Sequence, residues 1–123
     1  MDINDITKEI IDSAYKVHTA LGPGLLESAY KACLSYELKK KGLKVEEEKP
    51  VPVVYEEVSL NCGYRIDLLV EDKVIVELKT VDSFCDVHFA QVLTYLKFSD
   101  KKIGLLFNFN VKSLRDGIKR FIL

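Results

Sequence analysis

Tryptophan is absent from this 123-residue chain, histidine occurs twice, and proline and cysteine three times each. The cysteines, Cys33, Cys62 and Cys85, are odd in number, widely spaced and without a Cys-x-x-Cys pair, which argues against a disulfide framework or a dithiol redox centre. Only His18 and His88 could join them, and neither stands at ligand spacing, so zinc is disfavoured as well. No apolar run approaches the roughly 18 residues that a membrane span requires, and Met1-Asp2-Ile3-Asn4-Asp5 lacks a basic-then-apolar signal pattern. A soluble, cytoplasmic protein with no membrane association is the expectation. No glycine-rich phosphate loop follows a strand; Gly22-Pro23-Gly24 is a turn whose proline removes an amide donor an anion would need. Neither sign of charge dominates: 18 Lys and Arg against 19 Asp and Glu leave a formal charge of −1. That argues against a protein that coats nucleic acid through bulk charge, but not against one that cleaves it. Lys39-Lys40-Lys41, Lys101-Lys102 and Lys112 to Arg120 offer local basic patches or, equally, solvated helix ends and turns.

Apolar residues make up 48% of the chain, enough for one core at this length, so residues 1–123 are expected to form a single domain. Ile3, Ile6, Ile10, Ala14, Val17 and Leu21 recur at helical spacing and stop at Gly22. A second helix is predicted from about Leu25 to Lys41, with the stripe Leu26, Ala29, Tyr30, Cys33 and Leu38, and with Gly42 after it. Leu43 to Glu48 and Val51 to Glu57 read as strands that Pro50 and Pro52 confine to edge or irregular pairing. The acids Glu46-Glu47-Glu48 read as exposed. Asp86 is the expected cap of a third helix presenting Val87, Ala90, Gln91, Thr94, Tyr95 and Phe98. Ile103 to Phe109 reads as a buried strand, and the tail from Ser113 as a final strand after Gly117, a short helix being the alternative. The order implies an α/β fold, a small mixed sheet flanked by helices.

The polar residues within the most strand-like stretch carry the most information. Tyr64 to Val70 and Val74 to Leu78 are short, β-branched runs joined by Glu71-Asp72-Lys73, yet they contain Asp67 and Glu77, and Lys79 follows. A three-residue loop pairs Val70 with Val74 and sets Asp67 opposite Glu77; a two-residue loop sends the two acids to different faces. In the first register Asp67, Glu77 and Lys79 form one patch. Opposed Cβ atoms lie about 5 Å apart, which lets one divalent cation bridge both carboxylates. Lys79, roughly 7 Å along the strand from Glu77, can then hold or deprotonate a water beside that cation. The competing account is a solubilised edge hairpin with a cross-strand ion pair.

Accessory groups admit two accounts each. Glu27 shares a helix face with Tyr30 and Leu34. It either complements the helix N-terminus or supplies a third carboxylate toward the cation. Gln91 and Tyr95, one turn apart, either orient Lys79, a water or a phosphate oxygen, or merely stabilise helix packing. His88, one turn before Gln91, is a supporting residue at most and otherwise a capping residue.

Gly24-Leu25-Leu26-Glu27-Ser28-Ala29-Tyr30, Asp67 with Glu77-Leu78-Lys79, and Gln91 to Lys97 with Gly104 to Phe109 together resemble the GxxExxY family, a branch of the PD-(D/E)XK nuclease superfamily. The resemblance runs from about Ile6 to Ile122. It implies a restriction-endonuclease-like core and a magnesium- or manganese-dependent site acting on nucleic acid, with DNA as the partner. By position, Asp67 and Glu77 match the metal-binding acids, with the Leu78 carbonyl beside them. Lys79 matches the catalytic lysine, Glu27 the acid of the early helix and Gln91 the crossover-helix glutamine, with Tyr30, Tyr95 and His88 in support. Two departures stand out: Ile66 occupies the position of the superfamily's proline, and Asn110 follows Phe109 where glycine is expected, a residue whose left-handed turn geometry asparagine tolerates. The function expected is a metal-dependent nuclease, with a catalytically silent binding or assembly module as the alternative; a homodimer fits both.

Overall fold

A computed structural model describes residues 1–123. Helix α1 (Ile3–Leu21) starts where the Asp2 carboxylate accepts the Asp5 N–H at 2.9 Å and ends at Gly22, whose φ of 67° a side chain would resist. Helix α2 is Glu27–Lys40. Strands β1 (Val45–Pro50), β2 (Val53–Tyr55), β3 (Val58–Leu60), β4 (Arg65–Val70) and β5 (Val74–Lys79) follow, then α3 (Asp86–Ser99), β6 (Ile103–Asn108), a single 3-10 turn (Leu114–Gly117) and β7 (Ile118–Ile122). Five strands form one mixed sheet in the order β1-β4-β5-β6-β7. Only β5 and β6 are parallel, as the α3 crossover between them requires.

Ile6, Ile10, Ala14, Tyr30, Leu34 and Leu38 of α1 and α2 bury one sheet face with Leu68, Val70, Val76 and Leu78. Val92, Tyr95 and Leu96 of α3 cover the other with Ile66, Leu69, Ile75 and Leu106. Gly104 lets α3 approach β6 closely: a Cβ there would lie 2.9 Å from Val92 Cγ1.

Several expectations are corrected. Of the predicted strand Val51 to Glu57 only Val53–Tyr55 is strand, and it pairs with β3 in a separate hairpin that reverses around Glu56, at φ 53°. The strand placed at Leu43 to Glu48 starts and ends two residues later, and its edge position suits Pro50. Helix α2 begins at Glu27, leaving Leu26 as its N-cap and 77% exposed instead of in the core stripe. Half of the expected α3 face, namely Val87, Ala90 and Thr94, is also exposed, because the helix seats on the sheet through Val92, Tyr95 and Leu96. Cys85, not Asp86, is the N-cap of α3. Asn110 is not left-handed; its N–H bonds Asn108 Oδ1 at 3.0 Å.

Candidate active site

The β4–β5 register is the one a three-residue loop dictates. Glu71 and Asp72 take left-handed φ values of 53° and 55°, Lys73 N–H closes on Val70 O at 3.0 Å, and Val70 pairs with Val74, Leu69 with Ile75 and Leu68 with Val76. One step further Asp67 meets Glu77, and there side chains replace the ladder. Asp67 N–H donates to Glu77 Oε2 at 2.6 Å, and Leu78 N–H donates to Asp67 Oδ2 at 2.9 Å. Leu68 and Ile66 lie in opposite cores, so the face alternation breaks at Asp67. Glu48, level with Asp67 on β1, takes a left-handed φ of 54° at the same point. The sheet is thus distorted where the acids sit, and its backbone amides bind carboxylates in place of carbonyls.

Burial is the dominant electrostatic fact. Glu77 is only 3% exposed, and loss of water pushes its carboxyl up to about 8. The Asp67 charge adds to the rise and Glu27 adds a little more, while the Asp67 N–H and Lys79 oppose it. Asp67 is also raised, first by burial, against the Leu78 N–H, Lys31 and Lys79. Glu27, half-buried at the start of α2, is raised by burial and then by Asp67, with Lys79 and Lys31 opposing. The ion pairs of the molecule, such as Lys31–Glu48 and Lys101–Asp72, leave these three acids out. They therefore form a partly desolvated acid centre in which burial and mutual repulsion oppose ionisation. Two carboxylates and the adjacent Leu78 carbonyl are hard oxygen donors, so this set fits a magnesium- or manganese-type ion. No group of three His, Cys, Asp or Glu side chains stands close enough together to hold a metal ion.

Lys79 ends β5 half-buried, level with Asn108 of β6. Phe109 N–H donates to Lys79 O at 3.0 Å, and buried Asn108 clamps the next loop, its Nδ2 donating to Val81 O at 2.8 Å and its Oδ1 accepting Val81 N–H at 3.2 Å. Gln91 Nε2 donates to Tyr95 OH at 3.1 Å. The Tyr95 phenol is raised by burial and then by the Glu77 charge, with the Gln91 hydrogen bond opposing and a smaller contribution from Asp67.

Two expected supporting residues are engaged elsewhere. Tyr30 OH donates to Gly22 O at 2.5 Å and accepts Leu25 N–H at 3.1 Å, pinning the turn that leads into Glu27. His88 Nδ1 accepts Cys85 N–H at 3.1 Å and serves as the capping residue at the start of α3. Sequence reasoning overlooked Lys31, whose charge acts on Asp67 and Glu27; its position one turn after Glu27 on the same helix face was the available signal. Glu48, expected to be exposed, is exposed and also pairs with Lys31.

No curated protein and no solved structure matches the chain. A family model described as the PD-(D/E)XK nuclease superfamily matches residues 4–121.

Proposed function

The chain belongs to the PD-(D/E)XK nuclease superfamily, and from that premise we propose a metal-dependent nuclease of the GxxExxY branch, a single domain over residues 1–123, that hydrolyses phosphodiester bonds of DNA. The observation that carries this reading is the pair Asp67 and Glu77, buried side by side with raised carboxyls and no ion pair. A structural site would have neutralised such a pair; a site built for a cation leaves it open.

Asp67, Glu77 and the Leu78 carbonyl hold magnesium or manganese, and Glu27 assists directly or through water. When bound, the cation supplies Lewis-acid polarisation of the phosphoryl group and offsets the charge that develops there. Lys79 holds or deprotonates the attacking water, whose oxygen bonds phosphorus as the phosphorus–oxygen bond to the leaving strand breaks. Gln91 and Tyr95 orient Lys79 or a phosphate oxygen. Asn108, by fixing the Lys79–Val81 segment, keeps the lysine at its post.

The test is incubation of purified protein with supercoiled plasmid and with single-stranded DNA, in magnesium, manganese or chelator. Cleavage is expected only with a cation, and is expected to vanish in Glu77→Ala and Lys79→Ala. Calorimetry should find cation binding lost in the first variant and retained in the second. Cleavage that persists in chelator, or in Glu77→Ala at the parent rate, would sink the assignment. A second reading, a silent homo-oligomeric assembly module, draws on the exposed apolar residues Val54, Tyr55 and Val58 of the β2–β3 hairpin. It would be the one left standing if calorimetry found no cation bound.

A further inference from the structure

Between α3 and the β2–β3 hairpin lies a groove of about 370 Å³ walled by Val53, Leu60, Tyr64, Val87, Ala90 and Thr94. Its remaining lining is Gln91 and Tyr95. We infer that this groove receives one unpaired nucleobase of the strand whose backbone lies at the acid pair, so that the substrate is single-stranded or locally unpaired nucleic acid. The inference rests on the nuclease reading and goes beyond it by specifying the state of the substrate.

Four observations support it. The groove lies beside the candidate active site: Tyr95 lines it and belongs to the buried cluster that holds Ile66, the chain neighbour of Asp67. None of its lining residues is charged, so it suits a neutral aromatic group and not a phosphate. Its walls are mostly apolar and include the ring of Tyr64, 47% exposed, while the Gln91 amide and the Thr94 hydroxyl offer donors and acceptors to a base edge. Its volume lies at the small end of ligand clefts and is roomy for a base. Val87, at 73% exposure, and the exposed Ala90 belong to the part of the α3 face that the protein's own core leaves uncovered. The outer hairpin residues Val54 and Tyr55 lie outside the groove and remain free for other contacts.

The experiment uses the full chain carrying Glu77→Gln, in chelator, so that binding is read without cleavage. Two further substitutions are added separately: Ala90→Leu, which fills the groove with a helix-favouring residue, and Tyr64→Ala, which removes the stacking wall. Fluorescence anisotropy follows a labelled oligothymidylate of about 12 nucleotides and a duplex of the same length. The parent is expected to prefer the single strand. Each substitution should weaken single-strand binding by about fivefold or more, the loss of one stacked base, while duplex binding and melting temperature stay as in the parent. Removing one base at successive positions of the oligonucleotide should cost as much at one position only. Equal binding of both probes by parent and variants overturns the inference, as does a change in sedimentation in place of a change in affinity, which would make a second copy the occupant. If wild-type protein cleaves duplex in magnesium yet the groove variants behave as the parent, this inference alone falls. If wild-type protein neither binds nor cleaves any nucleic acid, the nuclease reading falls and this one with it.

Discussion

Glu77 sets the energetics at the scale of single residues. An ionised carboxylate buried beside Asp67 is costly, and its rise to about 8 means that the folded, metal-free chain holds a proton that the unfolded chain has released. The stability this protonation contributes is complete below the ordinary carboxylate value of 4.5 and is lost as pH rises through about 8. Melting in chelator should therefore fall from about pH 5 to about pH 9 more steeply for wild type than for Glu77→Gln. At the alkaline end Glu77→Gln should melt several degrees higher. Added magnesium should raise the melting temperature of wild type at that pH and leave the variant unmoved. Parallel pH curves for the two proteins would show that burial of this acid is not the controlling cost. Tyr30 gives an independent check. Tyr30→Phe leaves Gly22 O and Leu25 N–H without their shared partner, and should lower stability in urea unfolding by about 1–2 kcal/mol while preserving the stack on Phe109.

At the scale of elements, the molecule's central device is a hairpin that stops being regular at Asp67 and Glu77 while β6 and α3 hold it in place. Gly117 secures the far side of that support. A Cβ there would lie 2.3 Å from Asn108 O, a backbone atom of the residue that clamps the Val81 loop, whereas the Cβ of Gly104→Ala would meet only the tip of Val92 at 2.9 Å. Gly117→Ala should cost about 2–3 kcal/mol or more in denaturant unfolding, and Gly104→Ala clearly less. The reverse ranking would mean that the β6–β7 corner is softer than its geometry implies. The β4–β5 register was legible in the sequence because charged residues broke two β-branched runs at positions that only an odd-length loop reconciles with a shared face. Helix α1 was legible from the spacing of its apolar residues and from its stop at Gly22. The β2–β3 turn was not, since Glu56 adopts left-handed geometry without the glycine or asparagine that usually announces it. The seating of α3 was hidden for a different reason. Val87, Ala90 and Thr94 recur with the right period for a core face, but the hairpin above them is too short to cover them. Of the site, the pairing of Asp67 with Glu77 could be read from spacing alone. The pairing of Lys31 with Glu48 depends on α2 and β1 meeting in space, which spacing does not reveal.

At the scale of the whole molecule, the chain carries one acid centre, a net charge of −1 and exposed apolar side chains on the β2–β3 hairpin and at Ile122 of the edge strand β7. One centre cuts one strand per visit. Cleaving both strands of a duplex in a single encounter requires two centres related by symmetry, which a homodimer provides. Mixing distinguishes the two arrangements. Wild-type protein is combined with a large excess of Glu77→Ala, allowed to exchange subunits, and given supercoiled plasmid with magnesium. If the active species is a dimer, most wild-type subunits then face a dead partner, and the product should shift from linear to nicked circles while wild-type protein is held constant. If the chain acts alone, the excess variant competes equally for every step, so total cleavage slows and the ratio of linear to nicked product at equal extent of reaction stays as it was. An unchanged ratio, together with a monomer's sedimentation coefficient, would remove the homodimer.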